Sequence, residues 1–175
     1  MTWKKIEIGD LKLDVFEKGT GTPLLFLHGG QGFSDAAPFV EHLAKTRRVI
    51  APSHPGFGDS DLPDWLDRMD DIAYVYLELL DHLNLDRVDV VGCSIGGWIG
   101  AELATMVPRR IARLVLVGPV GVKTGPADQL DVPDIFVMGE EDVERLLYDE
   151  PEKFRPDPAK LADEELAVLL RNRES

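Results

Sequence analysis

Cys93 is the only cysteine in the sequence, so no intrachain disulfide can form. A lone thiol fits a reducing compartment, and a cytoplasmic location is the expectation. A strongly basic surface is also missing. The net charge is −13, from 32 acidic and 19 basic side chains. Nucleic acid and anionic membranes, which recruit proteins through lysine and arginine, are therefore not expected partners. No run of about 18 apolar residues occurs, so no membrane-spanning helix is expected. The start, Met-Thr-Trp-Lys-Lys-Ile-Glu-Ile, has no apolar core of a signal peptide. The four histidines, His28, His42, His54 and His82, are too scattered to predict a metal site, and no cofactor is expected. None of them follows position 82.

What remains is globular. Apolar residues make up 44% and charged residues 29%, enough for a packed core in a chain of 175 residues. The charge is uneven: residues 1–125 carry a net −4 and residues 126–175 a net −9. The second segment reads as solvated helical faces.

Ile6–Ile8 and Leu11–Phe16 alternate apolar and polar residues around Gly9-Asp10, which predicts a β-hairpin. Leu24–Leu27, Arg48–Ala51, Arg87–Gly92 and Leu114–Val117 read as strands, the apolar runs among them as buried ones. Helices are predicted over Pro38–Lys45, capped near Ser34 or Asp35, over Asp71–Leu83 and over Ile95–Val107. Strands alternating with helices imply an α/β fold: a mostly parallel sheet with helices on both faces. Residues 119–135 read as a linker rich in Pro and Gly. Helices follow at Glu140–Tyr148 and Asp163–Arg171, separated by Pro151, Pro156 and Pro158. Residues 1–125 are the expected core, and 126–175 a separate helical segment.

Gly92-Cys93-Ser94-Ile95-Gly96 matches G-x-S-x-G between a strand and a helix. A serine there sits on a tight turn with its hydroxyl exposed, as a nucleophile requires. The helix N-terminus lends positive character to an anion forming beside it. His28-Gly29-Gly30 follows another strand, so the backbone N–H of Gly30 and that of Ile95 are the candidate oxyanion-hole donors. His28 reads as a buried residue fixing its loop and not as a base. Cys93 reads as a small buried residue and Trp98 as packing.

Leu-His-Gly-Gly-Gln-Gly-Phe at 27–33, Pro-Ser-His-Pro-Gly-Phe-Gly-Asp-Ser at 52–60 and Val-Gly-Cys-Ser-Ile-Gly-Gly-Trp at 91–98 resemble the α/β-hydrolase fold superfamily. The resemblance covers residues 5–120, and residues 120–175 resemble the start of that family's helical cap. It implies a hydrolase that opens an ester-like or carbon–carbon bond of a small molecule through an acyl-enzyme at Ser94. Cofactor-free haloperoxidases and a non-catalytic small-molecule binder share the pattern. His54 resembles a loop residue that shapes the site entrance.

In that family an acid and then a histidine follow the serine. Here no histidine follows Ser94, and Asp128, Asp131 and Asp134 lie in the linker, so no triad acid or histidine is assigned. The strands that carry those groups are absent too. The expectation is an N-terminal portion of a longer protein, inactive by itself. Its last core strand would stand as an open edge and favour self-association.

Overall fold

The computed structural model describes residues 2–153 and 162–174. The predicted hairpin is present: β1 (Thr2–Ile8) pairs antiparallel with β2 (Leu11–Lys18), in register from Thr2 opposite Glu17 to Ile8 opposite Leu11. Then follow β3 (Pro23–Leu27), helix α1 (Phe33–Leu43), β4 (Arg48–Pro52), α2 (Met69–His82), β5 (Val88–Cys93), α3 (Ile95–Met106) and β6 (Ile111–Val117). The six strands form one sheet in the order β1-β2-β4-β3-β5-β6. β2 joins β4 antiparallel, and β4, β3, β5 and β6 run parallel. The mostly parallel α/β sheet expected from the sequence is what forms.

Strand parity divides the core into two layers. Leu25, Leu27, Ile50, Val88 and Val90 face one side and pack with Ala73, Val75, Tyr76, Leu79 and Leu80 of α2 and Ile99 and Leu103 of α3. Their neighbours Leu24, Phe26, Val49, Ala51 and Val91 face the other side and pack with Val40 and Ala44 at α1. Helices thus cover both faces, and the central strands are apolar on both, as parallel sheets require.

Two expectations need correction. Helix α1 starts at Phe33, before Ser34 and Asp35, and Pro38 lies inside it. Gly32 precedes it at φ +88. That left-handed conformation lets the chain turn straight from loop to helix, and Gly costs little there. Second, β6 is not a buried strand. Val115 and Val117 are 50% and 51% exposed. Among the described residues β6 pairs only with β5, and the face carrying Arg113, Val115 and Val117 is open, while Leu114 packs against the α2–α3 layer.

The chain separates into two compact units, residues 1–122 with 168–175, and residues 123–167. The second contains 3₁₀ turns at Ile135–Val137 and Pro151–Lys153 and helix α4 (Glu140–Leu147). Asp131 closes its first loop by accepting the backbone N–H groups of Thr124 (2.7 Å) and Gly125 (3.0 Å) and pairing with Lys123 (2.9 Å). The Lys123 ammonium, with those two N–H groups, holds its carboxyl down at about 2. Val137, Leu146 and Leu147 are exposed. The Phe136 side chain and the prolines at 156 and 158 lie outside the described residues. Helix α5 (Asp163–Glu174) ends the chain, and its last turns belong to the sheet unit. No helix among the described residues is long and apolar enough to cross a membrane.

Candidate active site

Ser94 occupies the turn from β5 into α3 with φ +51 and ψ −117. A non-glycine residue in this conformation costs roughly 1–3 kcal/mol and persists only when its surroundings over-determine it. Here they do. The Ser94 N–H donates to the Val117 carbonyl (2.9 Å), and the Ser94 carbonyl accepts from Gly97 (2.9 Å), Trp98 (3.2 Å) and Val120 (3.3 Å). The glycines around it make the turn sterically feasible. A Cβ on Gly92 would overlap the Gly96 carbonyl, and a Cβ on Gly96 would overlap the Leu27 carbonyl at the end of β3.

That second approach sets the start of α3 against the loop that leaves β3. Gly29 therefore faces the serine: a Cβ on it would stand 3.4 Å from the Ser94 Cβ. Gly30 follows, with open space where its side chain would be. Ile95 opens α3, so its N–H has no acceptor within the helix. The fold thus gathers Ser94, Ile95 and the Gly29–Gly30 loop into one place. A serine hydroxyl beside two backbone N–H groups is a set of parts that acyl transfer can use.

His28 and His54 form a buried clasp beneath this loop. The His54 backbone N–H donates to His28 Nε2 (2.9 Å), and His54 Nε2–H donates to the His28 carbonyl (2.8 Å). The rings lie 3.8 Å apart. His28 Nδ1–H donates to the Gly29 carbonyl (2.7 Å), and the Tyr76 hydroxyl donates to His54 Nδ1. All four ring nitrogens are thereby committed, with both imidazoles neutral. Burial pushes His28 down to about 4 and His54 well below the usual histidine range. Neither is free to take a proton from Ser94. His42 and His82 stand exposed in the last turns of α1 and α2.

Trp98 is half-buried, stacks over Gly121 and donates its indole N–H to Glu102 (3.1 Å), so it is not a core residue. Cys93 is half-buried as well, and that burial raises its thiol pKa. Asn172, for which the sequence held no signal, is buried against two loops of the same unit. Its Oδ1 accepts the Gly58 N–H (3.1 Å) and its Nδ2 donates to the Gln31 carbonyl (3.2 Å). Trp3, Lys5, Asp14 and Phe33 border a cleft of about 520 Å³ beside Gly58 and Asn172, and Ser94 is not among its walls. No group of three or more metal-ligating side chains is found among the described residues.

Known proteins resemble this chain. The chain is 38% identical over 128 residues to the 2-hydroxy-6-oxo-2,4-heptadienoate hydrolase of Pseudomonas putida F1, which covers 70% of this chain and 46% of that protein. It is 36% identical over 140 residues to the 2-hydroxymuconate semialdehyde hydrolase of a Pseudomonas species, covering 73% and 47%. The chain thus spans about half the length of the curated relatives it matches. The crystal structure of a meta-cleavage product hydrolase, CumD, superposes with a TM-score of 0.67 at 26% identity, over 97% of this chain and 62% of that one. The family described as the alpha/beta hydrolase fold matches residues 22–175, and the chain belongs to that family.

Proposed function

We propose that this chain carries the nucleophile and oxyanion half of a serine hydrolase that cleaves an ester-like or carbon–carbon bond of a small molecule. The observation that carries this reading is the Ser94 backbone at φ +51 on the β5–α3 turn, facing the Gly29 loop. The Ser94 hydroxyl attacks the substrate carbonyl. The N–H groups of Gly30 and Ile95 hold the oxyanion, and the acyl group passes to Ser94 as the leaving group departs with a proton. Water then releases the acid. The relative named as a 2-hydroxy-6-oxo-2,4-heptadienoate hydrolase favours a carbon–carbon bond next to a ketone. The segment that starts at residue 126 is assigned to a helical cap, with Val137, Leu146 and Leu147 among its exposed apolar residues.

The proton must go to a base, and every histidine present is engaged or exposed far along a helix. Turnover therefore needs a histidine and an acid from outside these 175 residues, and this chain by itself is inactive. Losing the triad histidine costs roughly a million-fold in turnover. The test is mass spectrometry of the protein made from the whole reading frame, after an aryl ester or an organophosphonate. An adduct on Ser94, lost in Ser94→Ala, is expected. Turnover that survives Ser94→Ala overturns the reading. A second reading, a small-molecule binder that keeps the pocket without turnover, is favoured by the same engaged histidines. It predicts saturable binding and no adduct.

A further inference from the structure

We infer that Tyr76 is a positioning residue for the loop that carries Gly30, acting through His54 and His28; this rests on the role proposed above for Gly30. The β3–β4 ladder ends at Leu25 opposite Ile50. The ladder with β5 holds β3 through Leu27 opposite Gly92, and beyond Leu27 no strand pairing among the described residues fixes the chain that leaves β3. The two-histidine clasp takes over there, each ring bonded to the other residue's backbone. Such a clasp is only as well oriented as its rings. The His28 ring is oriented by its own bond to Gly29 and by Phe57 edge-on at 5.1 Å. The His54 ring also meets Phe57 edge-on, at 5.9 Å, but among the described residues its one hydrogen bond to another side chain is with the hydroxyl of Tyr76, reaching from the buried face of α2.

The consequence runs in one direction along named bonds. Tyr76 O–H on His54 Nδ1 leaves the proton of His54 on Nε2, where it is donated to the His28 carbonyl. The His54 N–H on His28 Nε2 leaves the proton of His28 on Nδ1, where it is donated to the Gly29 carbonyl. That carbonyl also accepts the Gly32 N–H (3.0 Å), which closes the loop. Fixing the Gly29 carbonyl fixes the plane of the Gly29–Gly30 peptide, and so the direction of the Gly30 N–H. Tyr76 touches no reacting atom; it holds the peptide that does.

The test is NMR on the isotopically labelled chain. Long-range nitrogen–proton spectra of the wild type should show His54 as the Nε2–H tautomer and His28 as the Nδ1–H tautomer. The reverse tautomer at either ring overturns the inference and needs no variant. In Tyr76→Phe, hydrogen exchange at the Gly32 amide should quicken about 5- to 10-fold relative to the Leu25 and Val90 amides, the scale of one lost hydrogen bond. His54 should then show a mixture of tautomers. Leu79→Ala, one turn along the same buried helix face, is the control for general loosening. It should quicken all these amides together and leave the tautomers unchanged. Equal quickening at Gly32, Leu25 and Val90 in Tyr76→Phe would refute the positioning role. An absent Ser94 adduct in the experiment above would sink the nucleophile without moving any of these signals.

Discussion

Acidification should unfold the sheet unit through His28. Its imidazole is neutral in the fold because burial depresses its pKa from 6.5 to about 4. In the unfolded chain it titrates at its ordinary value, so between the two pKa values the unfolded state binds the extra proton. Stability is then complete above about pH 6.5 and falls as the pH drops towards 4. Over that window the displacement converts to about 3 kcal/mol, a large share of the 5–15 kcal/mol that holds a typical domain. The structural reason is specific. A proton added to His28 Nε2 faces the His54 N–H, donor against donor, and breaks the clasp. Urea titrations at pH 7.5, 6.0, 5.0 and 4.5 measure the loss. His28→Gln keeps an acceptor for the His54 N–H and removes the titration. Its stability should be lower at pH 7.5 and should fall less with acid. Parallel pH profiles for the two proteins would refute the linkage.

Three further substitutions probe the same region and the sheet edge. Ser94→Gly relieves the positive φ and should raise stability by about 1 kcal/mol in urea melts, since Gly adopts that backbone freely. Gly96→Ala drives a methyl into the Leu27 carbonyl and should cost about 3 kcal/mol or prevent folding, read by thermal melting. Self-association through β6 should rise with salt, because screening beyond about 8–10 Å removes the repulsion of a −13 chain while strand pairing acts at about 5 Å. Val115→Lys should reduce it in sedimentation at high salt, and a wild-type monomer at both low and high salt would refute the edge as the contact.

The sheet was readable because its strands obey local rules. Leu24–Leu27 is apolar at consecutive positions, and Val88–Val91 is apolar except for Asp89, which is buried against Arg47; a strand covered on both faces needs such runs. The Ser94 turn was readable because its steric demand is written in the glycines at 92 and 96. Where readings failed, the deciding contact lay far along the chain. The run Leu114–Val117 by itself reads as buried, because it looks the same in the middle of a sheet as at its edge; its place at the edge is expected from the lack of a later strand pattern and not from the run. The start of α1 was misplaced because Ser34 and Asp35 are good caps, whereas Gly32 is set by packing beside Asn172, 140 residues on. Tyr76 lies on the apolar stripe of α2, but its hydroxyl acquires a role only when the loop after β4 brings His54 to it. Asn172 meets Gly58 across 114 residues, and no local pattern marks it.

The strained serine and the open edge are linked. Ser94 keeps φ +51 because its N–H is bound to Val117 and its carbonyl to Val120, the last residue of β6 and a residue just beyond it. Gly97 adds to this: a Cβ there would sit 2.8 Å from the Pro119 side chain, so α3 and the segment after β6 are packed as closely as glycine allows. A half-exposed edge strand is among the elements that open at low free energy. Each opening of β6 removes the bonds that hold the serine turn and lets Ser94 relax towards an ordinary backbone. Whatever covers the Val115–Val117 face, whether another segment or another copy, must then also hold the Ser94 geometry. In this fold the Ser94 turn is only as well set as the neighbour of its neighbouring strand.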